Sequence, residues 1–148
     1  MTKKITSDKD VSKVSDLSNS INKIVVSRGN PFAKLMIIGE APGAKEEEVG
    51  EPFVGRSGKL LDKLLQKAGI DINQDVYFCN VVKCRPPKNR RPTKTEIQEN
   101  LPWLYQQIKL VNPEIIVLVG ATALEAILKN KSPISILRGK WINWKGRL

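Results

Sequence analysis

Residues 35–65 read LMIIGEAPGAKEEEVGEPFVGRSGKLLDKLL, and their order decides the fold class. Leu35-Met36-Ile37-Ile38 is a short apolar run ending at Gly39, the pattern of a buried strand. A Gly- and Pro-rich loop continues to about Gly55. Leu60, Leu61, Leu64, Leu65 and Ala68 then recur at helical spacing, and Gly69 stands where a helix is commonly closed. The same succession repeats downstream. Val76-Tyr77-Phe78, with Val81 and Val82, predicts a second strand, and KCRPPKNRRP (83–92) an irregular basic loop. Thr93-Lys94-Thr95-Glu96 has the form of a capping box, opening a helix that carries Ile97, Leu101, Leu104, Ile108 and Val111. Ile115 to Val119 is a third apolar run, ending at Gly120, with a short helix expected over Ala121 to Leu128. One more strand is expected within residues 133–144. Strand, loop and helix in repeated order predict a three-layer α/β/α sandwich around a mainly parallel four-stranded sheet. Ligands in such folds bind at the carboxyl ends of the strands, where loops 39–55 and 80–93 lie.

Toward the N-terminus, Val11, Val14, Leu17, Ile21 and Ile24 are spaced by three or four, which predicts an amphipathic helix. The expected organisation is an extension over residues 1–30 and one α/β domain over 31–148. The N-terminal residues carry no apolar signal core, and no apolar run approaches a membrane span, so a cytoplasmic protein is expected.

The 148-residue chain holds 25 Lys and Arg against 15 Asp and Glu, a formal charge of +10, which points to a polyanionic partner. It has no histidine. That excludes a Ser-His-Asp triad, a histidine general base and a Cys/His zinc finger within this chain. Chemistry here must rest on carboxylates, amides, backbone dipoles or cations. Two cysteines, Cys79 and Cys84, cannot build a disulfide framework, and their CxxxxC spacing is a weak metal signal.

Three constellations carry candidate chemistry. Gly39-Glu40-Ala41-Pro42-Gly43, with Glu46-Glu47-Glu48 and Glu51 to Gly58, allows backbone N–H groups to approach a ligand before a helix N-terminus. It reads equally as a tight turn beside a solvated acidic run. Between Lys83 and Arg91 lie five positive charges and no negative one, stiffened by proline and suited to a phosphate backbone. Asn80 stands at the end of the second strand, either facing the site or capping a turn. Leu137 to Leu148 interleaves basic residues with Trp141 and Trp144, which suits base stacking and phosphate contact. The alternative there is a terminal strand whose Trp141 completes the core.

GEAPG at 39–43, EPFVGRSGKLLDKLL at 51–65, NVVKCRPPKNRRP at 80–92 and NPEIIVLVGATA at 112–123 together resemble the family 4 uracil-DNA glycosylases. These are bacterial and archaeal enzymes that usually carry a 4Fe–4S cluster. The resemblance runs in order from about Ala33 to Gly146. It implies hydrolysis of the N-glycosidic bond of uracil in DNA, on a nucleotide flipped out of the stack. Phe53 matches the family aromatic that stacks on uracil, and Asn80 the amide that reads it. Gly39, Glu40 and Ala41, with Pro42 and Gly43, match the motif around the attacking water and uracil O2. Ala41 stands where fast glycosylases carry an Asp. Glu46 falls on the family glutamate placed to crowd the C5 methyl of thymine, and Glu47 replaces a usual Asp. Lys83, Arg85, Lys88, Asn89, Arg90, Arg91 and Arg138 become candidate contacts to uracil-containing DNA. A monomer with no membrane partner is expected.

Two departures qualify those implications. Cluster-bearing members have a CxxC before the first strand, where residues 1–32 hold no cysteine, and another cysteine in the helix after KCRPP, where this chain has Asn100. Only Cys84 remains of four ligands, so no cofactor is expected. The family also continues past the RGxW segment, here Arg138 to Trp141, into a strand and an HPS-type loop whose histidine contacts uracil O2. No residue up to Leu148 matches it, and weakened activity is the expectation. The alternative function is a non-catalytic nucleic-acid-binding module on the same fold. The purified chain is expected to be colourless; a brown preparation containing iron and inorganic sulfide would overturn the cluster expectation.

Overall fold

The computed structural model describes residues 23–148. The amphipathic helix expected before Ile24 therefore falls almost wholly outside the described residues. Four strands, β1 (Arg28–Gly29), β2 (Leu35–Gly39), β3 (Val76–Asn80) and β4 (Ile115–Leu118), form one sheet in the order β1-β3-β2-β4. β2 pairs in parallel with both β3 and β4, and β1 runs antiparallel to β3. Met36, Ile37 and Ile38 at the sheet centre are fully buried, as an apolar run without polar alternation demands.

Side chains alternate across the sheet and divide the core in two. Met36, Ile38, Tyr77 and Cys79 pack with Leu104, Ile108 and Val111 of helix α3 (Lys94–Val111), and with Ala123, Ala126 and Ile127 of helix α4 (Ala121–Leu128). Ile37, Val76 and Phe78 pack with Leu61 and Leu65 of helix α2 (Arg56–Lys67), and with Phe53. A short helix α1 (Ala44–Val49) precedes α2 in the β2–α2 connection. These layers give the α/β/α sandwich, mainly but not purely parallel. Among the described residues no helix is long and apolar enough to cross a membrane.

Two expectations change. The strand expected within 133–144 is absent: Ile134–Leu137 form a short helix, α5, after Pro133. Proline lacks the N–H that a ladder needs but fits a helix start. The fourth strand is instead β1, inside the segment expected to be an extension. Gly29 sits at φ +90°, and a Cβ there would lie 2.2 Å from the Val76 carbonyl oxygen, so only glycine allows this close approach. At the other edge, Leu148 donates to the Glu114 carbonyl and accepts from the Ile116 amide, lying along β4.

The capping box forms as expected: Thr93 Oγ1 accepts from the Glu96 amide at 3.2 Å and Glu96 Oε2 from the Thr93 amide at 2.7 Å. The Arg90 guanidinium, donating to both Glu96 oxygens at 2.8 Å, together with the Thr93 amide holds the Glu96 carboxyl down at about 2. A carboxyl depressed by folding contributes stability above its unfolded pKa and loses it as pH falls towards the folded one. The melting temperature is therefore expected to fall between pH 4.5 and about 2, more steeply than in Glu96→Gln. Glu96→Gln should itself cost about 1 kcal/mol at neutral pH through the weakened cap and ion pair. Parallel thermal melts of the two proteins across that window check both statements.

Candidate nucleobase and nucleic-acid site

The β2–β3 register places Gly39 directly opposite Asn80 at the carboxyl ends of the central strands. A Cβ on Gly39 would lie 2.6 Å from Asn80 Oδ1 and 2.6 Å from Phe53 Cζ. Amide, aromatic ring and bare glycine thus meet at one point, which any larger residue at 39 would fill. Asn80 is only 4% exposed, yet its side-chain amide makes no hydrogen bond among the described residues. Among the described residues the one fully enclosed side-chain polar atom without a partner is Arg147 Nε, so the Asn80 amide opens onto the site, where a ligand with matching donor and acceptor can pair with it.

Phe53 adopts φ +58°, rare for a bulky residue and held by its surroundings. Arg28 donates to the Pro52 carbonyl at 2.7 Å and the Phe53 carbonyl at 3.2 Å, and pairs with Asp62 at 2.7 Å. Gly58 lets α2 start against this loop, since a Cβ there would meet the Phe53 carbonyl at 2.1 Å. The ring lies tilted on Phe78, centroids 5.6 Å apart, which anchors its inner edge.

Glu40 follows at the rim, and Thr122 Oγ1 of α4 donates to its Oε2. Arg91 Nε donates to the same hydroxyl oxygen at 3.1 Å, and Arg91 Nη2 pairs with Glu125 at 2.8 Å. This chain of contacts orients the Glu40 carboxylate from across the sheet. Thr122 escaped the sequence reading, although it lies within the NPEIIVLVGATA block just after a strand end. Ala41 packs against the core and Pro42 is buried. Glu46 Oε1 accepts from the Gly55 amide at 2.9 Å, tying α1 to the start of α2. It also sits close to Gly43, where a Cβ would lie 2.9 Å from Oε2.

The basic loop is less uniform than its sequence. Lys83 cannot contact DNA: it is 2% exposed, and its ammonium donates inward to the Asn80 carbonyl and to Gln107 Oε1. Burial lowers its pKa. The five-charge run misled because strand β3 continues into a buried turn before the loop emerges. Arg85 contacts Asn89 Oδ1 at 2.8 Å and Glu47 at 3.2 Å, while Arg90 and Arg91 pair with Glu96 and Glu125. Lys88 and Asn89 are exposed at the loop tip, both with positive φ.

Near the C-terminus Trp141 is 72% exposed, so it does not complete the core. Trp144 takes that part, stacked on Tyr105 with centroids 6.4 Å apart. Arg138, Lys140 and Trp141 border an apolar groove of about 370 Å3 between β4, α4 and α5.

The cysteines do not fit a 4Fe–4S cluster. Cys79 is buried in the core, Cys84 is half-buried, and burial pushes both thiols up. Among the described residues no group of three or more His, Cys, Asp or Glu side chains is placed to hold a metal ion.

The sequence pattern of the Uracil DNA glycosylase superfamily matches residues 26–147. A Type-4 uracil-DNA glycosylase of Thermotoga maritima is 47% identical over 124 residues, covering 83% of this chain and 64% of that protein. One from Sulfurisphaera tokodaii is 43% identical over 126 residues, covering 82% of this chain and 57% of that protein. A DNA polymerase of Bacillus phage SP01 is 34% identical over 125 residues, 84% of this chain but 13% of the polymerase. The chain thus spans less than two thirds of the length of these relatives.

The geometry at Gly39 makes a direct prediction. Gly39→Ala should displace the Phe53 ring or the Asn80 amide, lowering stability by about 1–3 kcal/mol. The largest chemical-shift changes in a two-dimensional NMR spectrum should fall at residues 53 and 80; changes spread evenly over the sheet would contradict the shared contact point.

Proposed function

The chain belongs to the uracil DNA glycosylase superfamily, and from that premise we propose that it excises uracil from DNA by hydrolysing the N-glycosidic bond. The observation that carries this is the unpartnered Asn80 amide beside the Phe53 ring, with Gly39 leaving the space between them. Uracil presents an N3–H donor next to its O4 acceptor. Asn80 accepts from the first through Oδ1 and donates to the second through Nδ2. Cytosine reverses the pattern at both atoms and leaves buried groups unpaired. Phe53 stacks on the ring, worth about 1–3 kcal/mol for any base, so selectivity rests on the amide.

In the reaction the N1–C1′ bond breaks with its electron pair passing to uracil, and water adds its oxygen to C1′ while losing a proton. Glu40, steadied by Thr122, stabilises the oxocarbenium-like sugar and orients that water. The amides of Ala41 and Gly43 face the charge developing on O2; Pro42 between them has no N–H to offer. Ala41 supplies no side-chain base. Glu46, through its hold on Gly55, shapes the wall that would meet the C5 methyl of thymine.

DNA contact in this proposal falls to Lys88 and Asn89 at the loop tip and to Arg138 beside Trp141. Arg85, Arg90 and Arg91 chiefly hold the loop in shape. The occurrence of a similar segment within a phage DNA polymerase supports DNA as the partner. We take the protein to act as a cytoplasmic monomer without a 4Fe–4S cluster, and its glycosylase domain to begin before residue 31, which the place of β1 (Arg28–Gly29) in the sheet and the superfamily match from residue 26 support.

Incubation with a uracil-containing oligonucleotide, followed by alkaline cleavage at abasic sites, tests the proposal. Cleavage at the uracil position is expected, and Asn80→Ala should lower it by a factor of roughly 10²–10³. Binding without any abasic product at high protein excess would instead favour a non-catalytic nucleic-acid-binding module.

A further inference from the structure

Beneath Asn80 lies a buried polar cluster that the chemistry above leaves unused. The peptide joining Asn80 to Val81 is held at both ends: its N–H donates to the Gly39 carbonyl at 2.9 Å, and its C=O accepts from Lys83 Nζ at 2.6 Å. Lys83 is itself fastened along its length. Its backbone N–H donates to Asn100 Oδ1 at 3.0 Å, and its carbonyl accepts from Val25 at 2.8 Å. Its ammonium also reaches Gln107 Oε1. Gln107, on α3, in turn donates to the Tyr77 hydroxyl at 3.0 Å and the Val26 carbonyl at 3.1 Å.

As core filling this is a poor choice. A buried ammonium loses several kcal/mol of hydration, and an apolar side chain of similar length packs without that loss. An ammonium does what an apolar chain cannot: it aims a carbonyl. Rotation of the 80–81 peptide would swing the Asn80 side chain relative to Gly39 and Phe53, and Lys83 with Gln107 blocks that rotation from below. Asn100 adds a second tie from α3 to the same turn, its Nδ2 returning to the Glu96 carbonyl at 2.8 Å.

We propose that Lys83, braced by Gln107, is a positioning residue that orients the Asn80 amide for base discrimination. The inference rests on Asn80 reading uracil, as set out above. Lys83 touches neither base nor sugar and acts only through Asn80.

The test measures binding of the whole chain to two single-stranded oligonucleotides differing only in one uracil or cytosine, by fluorescence anisotropy, with excision of the uracil strand recorded in parallel. Wild type is expected to prefer the uracil strand. Gln107→Met should reduce that preference about tenfold while leaving affinity for the cytosine strand unchanged. Gln107→Glu, which keeps an acceptor for Lys83 while giving up the donor to the Val26 carbonyl, should retain more of it than Gln107→Met. Lys83→Met should lose as much as Gln107→Met; if it fails to fold, the Gln107 pair decides the question. Equal weakening on both strands, or an unaltered preference in Gln107→Met, overturns the positioning role. A wild type without preference overturns the uracil reading itself, and the proposal with it.

Discussion

The structure depends most on the parallel pairing of β2 with β3 in a register that sets Gly39 against Asn80. Parallel strands end at the same edge of the sheet, so the loops that leave them rise side by side. The GEAPG turn, the Phe53 loop and the amide of Asn80 are contributed by separate stretches of chain. One ladder brings them within contact, and the apolar burial of Met36, Ile37, Ile38, Val76 and Phe78 makes that ladder hard to shift. A slip of one residue would turn every one of these side chains to the wrong face.

Around that point the protein uses polar groups to hold geometry. Thr122 steadies Glu40, Arg28 supports the strained Phe53 backbone, Glu46 pins Gly55, and Lys83 grips the peptide after Asn80. The first three join segments well separated in the chain, and the last closes the turn after β3. The two cysteines cannot supply a cluster's ligands, and α3 is joined to the turn after β3 by the amides of Asn100 and Gln107. The net charge of +10 also takes a more local form. Much of the basic loop's charge is spent on Glu47, Glu96 and Glu125, so the loop is a braced structure with Lys88 and Asn89 at its tip.

Much was legible in the primary structure because local physics dominates there. The runs at 35–39 and 76–80 are strands since apolar residues without alternation demand burial on two faces, while the equally apolar 115–118 becomes an edge strand with Val117 39% exposed. The Thr93–Glu96 box and Gly69 mark helix ends through bonds made within a few residues. Gly39, Phe53 and Asn80 could be singled out from motif blocks, although their proximity could not. The two-residue strand at Arg28–Gly29 was hidden because it has no periodicity and exists only by pairing with β3. Trp144 rather than Trp141 packs inward, which composition cannot foresee because it does not say which of two nearby tryptophans meets Tyr105.

Primary structure alone sets the α/β class, the succession of the three central strands with the helices after them, the cysteine shortage and the residue types available for chemistry. These follow from hydrophobic pattern, capping and counting, which need no partner distant in the chain. Only the tertiary structure decided that Lys83 points inward, that Thr122 reaches Glu40, and that the loop arginines meet carboxylates. Each is a contact between residues far apart in sequence or a choice between two faces of one turn. Such choices are made by packing, where burial of a charge is tolerated only if its hydrogen-bond partners are already in place.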